Sequence, residues 1–399
     1  VNLLDRLDQS SYSRLDEAPL RLQATTDAAG FEHHVARWPL RPEHPATLLR
    51  PSILGGCFDR LVLPTAAKMR ADLPALGFTP RASTTPLVFL DTETTGLMGS
   101  GAFVFVVGIA YLEADELAVE QWTLRGVSAE DRMLAAVFDR LEALGSPLCT
   151  FNGSSFDLPL LRKRARVNAL DPAPLEAPHL DLLHVARRMW SGRQEDCRLV
   201  TLERCYLDVE RAGDIDGHLI PDTFWEALRN PDDPANERRL SLVRMHNHGD
   251  VLSLAGLIPR LARAIRRPDD PHAALRSARH HLSLGRSDVA LERLEPWLEF
   301  CDESAAGTGG PHPTELQAIA LLGAQLLRRL DRLDGAAGLW RWVCTQFPGD
   351  PEASDGLAKY LEHRRKDYAG ALSVARRSSL PCEARIARLR RKLGDPDLL

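Results

Sequence analysis

Three apolar runs follow one another between residues 86 and 124: PLVFL, GAFVFVVGIAYL and LAVEQWTL. Each is rich in branched and aromatic side chains, and a polar turn around Glu113 to Glu116 separates the second from the third. That pattern predicts three strands joined as an antiparallel meander. A helix is expected next, starting near Ser128 with Glu130 and Asp131 in the first turn, and running through MLAAVFDRLEAL to Gly145. PLCTF then reads as a short buried strand, FDLPLLRKRARVN as a helix entry, and HLDLLHVARRMW as a short strand or turn leading into another helix. A meander followed by strands alternating with helices predicts an α/β fold, a mixed sheet with flanking helices.

The remainder reads as helical. TLERCYLDVER and DTFWEALRN flank a loop containing GDIDGHLIPD, and a long periodic helix covers RLSLVRMHNHGDVLSLAGLIPRLARAI. RRPDDP then breaks the chain near residue 267, because proline ends a helix and removes a donor. Beyond the break, Gly323 and Gly356 are 33 apart, as are Asp334 and Asp367, Ala336 and Ala369, and Leu339 and Leu372. QFPGDPEA supplies the turn between the two units, and ARHHLSLGRSDVALERLEPWLE is a looser earlier unit set off by DESAAGTGGPHPT. Helix pairs with this period resemble tetratricopeptide repeats. A length of 399 residues suits two or three domains. The expected division is an irregular, proline-bearing segment at 1–83 packing on the domain after it, an α/β domain at 84–266, and an all-α helical-repeat domain at 272–399.

Charge narrows the function classes. The chain is 26% charged with a net charge of -5, which argues against a general polyelectrolyte binder and requires any nucleic-acid contact to come from a local basic patch. No apolar run approaches the ~20 residues of a membrane helix, and VNLLDRLDQSSYSRLDEAPL is not a secretory leader, so a cytoplasmic protein with no membrane partner is expected. Seven cysteines are scattered without a CxxC pair, as reduced thiols would be. The chain opens on Val1 rather than Met, consistent with a few missing residues or an unusual start.

The first strand run ends in DTETTG. Alternation turns Asp91 and Glu93 to one face, where two anions repel unless a cation lies between them. A hard divalent ion suits such oxygens, although a lone D-x-E is commonly solvent-facing. Gly96 just beyond lets a ligand backbone come close. Asp157 follows a buried strand and the Asn152–Gly153 turn; it reads either as an acidic residue of a helix's first turn or as a third acid, with the basic run RKRAR beyond it suited to phosphate. In RMHNHGDVLSLAGL, His246 and Asp250 share a helix face while His248 points elsewhere. That segment reads either as a metal-facing pair or as an exposed Asp beside surface histidines.

Taken in order, Asp91, Glu93, Asp157 and Asp250 resemble the four carboxylates of the DEDD exonuclease superfamily, which has a ribonuclease H-like fold. FNGSSFDLPLL, HLDLLHVARRMW, TLERCYLDVERAGDIDGHLIPDTFW and HNHGDVLSL are similar to successive motifs of its YprB-type branch, over about residues 84 to 262, and that branch often carries tetratricopeptide-like helices afterwards. The pattern with this spacing has a tyrosine four residues before the last Asp; here His246 stands there, and Met245 stands five before. The resemblance implies a 3′-to-5′ exonuclease on DNA or RNA, with two Mg²⁺ or Mn²⁺ ions ~4 Å apart held by the four acids, and His246 as general base. It offers Thr94, Thr95, Gly96 and Leu97 for the terminal nucleotide and Asn152 for the backbone, each also readable as a structural residue of its turn. Asp181 reads as the cap of the following helix, and Arg187 and Arg188 as phosphate contacts or helix surface. A protein partner is expected for the repeats. The alternative is a weakly active or inactive nucleic-acid-binding scaffold that recruits partners through them. A nucleotidyl transferase is disfavoured by the lack of a Gly-rich phosphate loop.

Overall fold

The structure is a computed structural model that describes residues 12–15, 23–27, 30–41, 61, 63–79, 87–96, 101–113, 116–211, 213–301 and 312–394. It divides into two compact units, Val1–Ala262 and Arg263–Leu399.

The first unit is built on a mixed sheet. Its strands are β1 (Tyr12–Leu15), β2 (Gln23–Asp27), β3 (Phe31–Arg41), β4 (Leu63–Pro64), β5 (Val88–Thr94), β6 (Val104–Glu113), β7 (Glu116–Leu124), β8 (Leu148–Thr150) and β9 (His179–Asp181). They lie in the order β4-β1-β3-β7-β6-β5-β8-β9, with β2 paired to β3. The meander β5-β6-β7 is antiparallel as expected, and β8 and β9 join its β5 side in parallel. β6 is buried along all but its last residue, which is why its sequence runs apolar without alternation.

The helices of this unit are α1 (Ala66–Asp72), α2 (Glu130–Leu144), α3 (Asp157–Val167), α4 (Leu182–Trp190), α5 (Leu199–Leu202), α6 (Ile220–Arg229) and α7 (Pro234–Arg266). α2 and α3 carry the chain across to the parallel strands. The core gathers Val104, Phe105 and Val107 of β6, Leu134 and Phe138 of α2, Leu161 of α3, Phe224 of α6 and Val243 of α7.

One expectation is corrected here. The segment 1–83 is not merely irregular: it supplies β1–β4 and α1. β3 pairs with β7 from Phe31 opposite Leu124 to Pro39 opposite Glu116, covering what would otherwise be an open sheet edge. Its register is fixed by backbone pairing and by polar contacts, not by an apolar stripe. His33 stacks on Trp122 at 4.4 Å, and its Nε2 meets Glu120, a carboxylate also held by Tyr111 and Arg140. A strand half-buried on both faces leaves little period to read.

The second unit is helical among its described residues: α8 (Pro271–Ser283), α9 (Ser287–Leu298), α10 (Pro313–Arg329), α11 (Leu333–Gln346), α12 (Pro351–Tyr360), α13 (Tyr368–Arg377) and α14 (Glu383–Leu393). Its own core includes Ala320, Leu326, Ala336, Trp340, Val343 and Leu389. Gly323 and Gly356 both sit at close helix contacts: an added Cβ would lie 3.0 Å from Leu298 and 2.4 Å from Trp340, respectively. No described helix is long and apolar enough to cross a membrane.

Candidate functional site

β5 enters the sheet as a buried apolar strand and delivers Asp91 and Glu93 near its end, next to a register shift between Glu93 and Thr94. Opposite Asp91 on β6 stands Gly108. A Cβ there would fall 2.1 Å from Asn247 Oδ1, so the missing side chain lets α7 settle against the sheet. Asn247, fully buried, donates from Nδ2 to Asp91 Oδ2 (2.9 Å) and to the Asp91 carbonyl (3.2 Å), and its Oδ1 accepts from Gln121 (2.8 Å). That contact fixes the register of α7 and with it the positions of His246 and Asp250.

Those two residues complete the cluster. Ligand-type atoms of Glu93, His246 and Asp250 all lie within 4.8 Å of one another. Asp157, at the first residue of α3, accepts from Thr92 Oγ1 at 2.5 Å, and its charge acts on both Asp91 and Glu93. His248 is buried away from the cluster, with its ring held near pKa 4 by burial, and is not a surface histidine.

Three of the four orienting residues of this site carry no signal that sequence periodicity could read. Arg211 lies after a π-helical turn at Glu203–Leu207, and its buried guanidinium pairs with both oxygens of Glu203 (2.5 and 2.7 Å), with Asp214 (3.3 Å) and with Asp250. Asp214 Oδ2 meets His246 Nδ1 at 2.8 Å, while His246 Nε2 faces Asp250 Oδ2 at 3.7 Å. Asn247 is the fourth, beside Glu203, Arg211 and Asp214. Acid–base spacing within TLERCYLDVERAGDID follows no helical period, so nothing local pairs Glu203 with Arg211; a fully polar Asn within an otherwise apolar helix face was the one available signal.

The remaining expected residues sit in their own turns. Thr94 Oγ1 bonds the Gly96 carbonyl (3.2 Å), and Thr95 exchanges bonds with Phe103 through its amide (3.0 Å) and hydroxyl (2.9 Å). Leu97 lies outside the described residues. Asn152 has φ of 68° and donates its amide to Asp181 Oδ1 (2.8 Å). Asp181 also accepts from Ser154 and caps α4 through the Leu183 amide (3.1 Å). The basic run after Asp157 is partly consumed: Arg162 binds Glu176 (2.7 Å), and buried Arg164 forks onto Glu130 of α2. Arg164 falls on the core-facing side of α3, which turns an expected phosphate contact into a structural pair.

Electrostatics test whether a cation fits. Burial, then the charges of Asp250, Asp157 and Glu93, push Asp91 well above the usual carboxylate range despite the Asn247 bond. Burial lifts Glu93 to about 8; His246 and Arg211 oppose this, and Asp250 and Asp157 add to it. Asp157 rises to about 6, again chiefly by burial. Burial works against a charged His246 ring, yet the bond to Asp214 and the charges of Asp250 and Glu93 outweigh it and raise the ring to about 9. Arg211 and His246 together leave the anions under-compensated. Oxygen donors with one imidazole, short of positive charge, suit a hard divalent ion.

The fold and this acidic cluster define a nuclease-type hydrolase of the ribonuclease H class, and residues 88–262 match the RNase H superfamily model. The chain belongs to that superfamily. It is 31% identical over 329 residues to the uncharacterized protein YprB of Bacillus subtilis (strain 168), an alignment spanning 77% of this chain and 75% of that protein.

Proposed function

We propose that this chain is a divalent-metal-dependent 3′-to-5′ exonuclease of the DEDD kind. The observation that carries the reading is the meeting of Glu93, His246 and Asp250 within 4.8 Å, beside Asp91 and Asp157. Asp91, Glu93, Asp157 and Asp250 would hold two Mg²⁺ or Mn²⁺ ions. Bound there, such ions supply Lewis-acid stabilisation of the attacking and leaving oxygens of a phosphodiester.

The chain's own residues do the rest. Asn247, Thr92 and Arg211 each hold one oxygen of an aspartate, so Asp91, Asp157 and Asp250 are oriented before substrate arrives. Asp214 engages His246 Nδ1, which leaves Nε2 as the atom that takes a proton from the attacking water. Thr94, Thr95, Gly96 and Leu97 are assigned to the terminal nucleotide and Asn152 to the backbone. The helical unit is read as tetratricopeptide-like, and the protein as cytoplasmic.

The test is digestion of 5′-labelled single-stranded DNA and RNA oligonucleotides with Mg²⁺ or Mn²⁺. A metal-dependent ladder shortening from the 3′ end, abolished by chelator and by Asp91→Ala, is the expected result. Folded protein that leaves both substrates intact would end the enzymatic reading in favour of a binding scaffold.

A further inference from the structure

The charge of this chain is unevenly placed. Residues 359–394 hold eleven Lys and Arg against three Asp and Glu, a net charge of +8, so the rest of the chain together carries -13. The structure shows how part of this excess is gathered. Glu362, in the turn Leu361–Arg365, has a fully buried side chain and receives Arg388 (2.8 and 2.9 Å) and Lys392 (2.9 Å) from α14. Those bonds hold its carboxyl at about 2. They also lay the last turns of α14 against the turn after α12, so two helix C-termini meet at one end of the unit.

Around that single buried anion stand Arg364, Arg365, Lys366, Arg391 and Lys392, all exposed. Among the described residues, Arg364, Arg365, Lys366 and Arg391 form no salt bridge. Half-exposed Tyr360 and Tyr368 bracket the turn, and Lys392 lies 4.9 Å over the Tyr368 ring. Helix dipoles favour a cation or two at each C-terminus, each worth ~0.3–1 kcal/mol, but they do not ask for five on one patch with one shared carboxylate. Like charges this dense repel unless a polyanion lies across them. Two of the anticipated phosphate contacts near the site, Arg162 and Arg164, are taken up by Glu176 and Glu130.

We infer that the turn 361–366 and the last turn of α14 form a docking surface for the phosphate backbone of single-stranded nucleic acid. This rests on the nuclease reading for its biological sense, and its test is separate. Binding of a fluorescein-labelled single-stranded 20-mer DNA to the full chain is followed by anisotropy in EDTA, where no cleavage occurs, across a salt series. Arg364→Gln/Arg365→Gln is compared with Arg376→Gln/Arg377→Gln, an exposed pair at the far end of α13 that removes the same charge.

The first double variant is expected to bind on the order of tenfold more weakly at 50 mM salt, and to reduce the slope of log K against log[salt] by about 1.4, near 0.7 per lost phosphate contact. The second is expected to bind nearly as the parent does. Equal losses in both would reduce the effect to net charge and overturn the proposal. So would unchanged binding in the first, the result if the surface serves an acidic protein instead. Patch-dependent binding without metal-dependent cleavage would sink the nuclease reading alone; cleavage with patch-independent binding would sink this one alone.

Discussion

At the scale of single residues, the site is a set of anions held together against their own repulsion, and that has a signature in stability. Glu93 and Asp157 have folded-state pKa values raised to about 8 and about 6, and His246 is raised to about 9. A raised folded value means stability that is complete below the unfolded value and lost as pH rises through the folded one. His248 and His281, held near 4 by burial, work the other way up to the unfolded imidazole value, so metal-free protein should lose thermal stability between about pH 6.5 and pH 9, from the unfolded to the folded value of His246. Glu93→Gln should flatten that loss and gain on the order of 1 kcal/mol at pH 8, ~2–4 °C in Tm for a unit of this size. Mn²⁺ should raise the parent's Tm and leave the variant's nearly unchanged. Scanning calorimetry in EDTA across pH checks both, and a Tm that climbs from pH 6.5 to 9 would contradict the charge arrangement. His246 carries the second residue-scale prediction. His246→Phe should lose on the order of 10²–10⁴ in kcat and flatten the acid limb of the pH profile. Asp214→Asn keeps the ring in place but weakens its orientation, and should cost roughly 10–100-fold, with KM little changed. His248→Ala, which opens a cavity in the interior, should lower Tm without lowering the kcat of the folded fraction; the reverse pattern would move the catalytic histidine to His248.

Between elements, the decisive contact is α7 on β6, and it runs through a glycine. Gly108→Ala should destabilise by about 1–3 kcal/mol as the new methyl meets Asn247, and should lower activity, because the displaced helix carries His246 and Asp250. Adding Asn247→Ala removes the overlap, so the double variant should lose less stability than the sum of the single losses; simple additivity in denaturant melts would show that the two side chains do not meet. This contact also marks how far sequence could see. β5, β6, β7 and α2 were legible because buried branched runs and a first-turn acid pair announce themselves locally. Periods could pair Asp91 with Glu93 on one strand face and His246 with Asp250 on one helix face, but each pair kept a bland reading, and joining them with Asp157 into one set came from the family resemblance. The orienting groups were not legible. Asn247 reaches Asp91 across 156 positions, Arg211 reaches Asp250 across 39, and Asp214 reaches His246 across 32, and only the packed fold fixes such pairs. β3 was missed for the complementary reason: its partners are backbone and a polar ladder on β7, which leave no apolar stripe.

For the whole molecule, the question is whether the two units need each other. Every residue proposed for chemistry precedes Arg266, where α7 ends, and each unit has its own apolar core, the first around β6 and the second around Trp340 and Val343. Helical repeat units generally act as contact surfaces, with stability summed over neighbouring helices instead of borrowed from a distant domain. A chain ending at Arg266 should therefore fold, give a single cooperative melt, and retain the parent's kcat on short oligonucleotides. It keeps α7 whole, so the helix that bears His246 and Asp250 is not frayed near the site. On longer single strands the shortened chain should show a higher KM and a weaker salt dependence than the parent, because the exposed cations of residues 364–366 and 391–392 are gone while the acidic unit remains. Parallel digestions of short and long 5′-labelled substrates, with circular dichroism to verify folding, separate the possibilities. A folded, soluble chain to Arg266 that cleaves nothing would mean the helical unit completes the site, and an unchanged KM on long strands would remove its basic end from substrate capture.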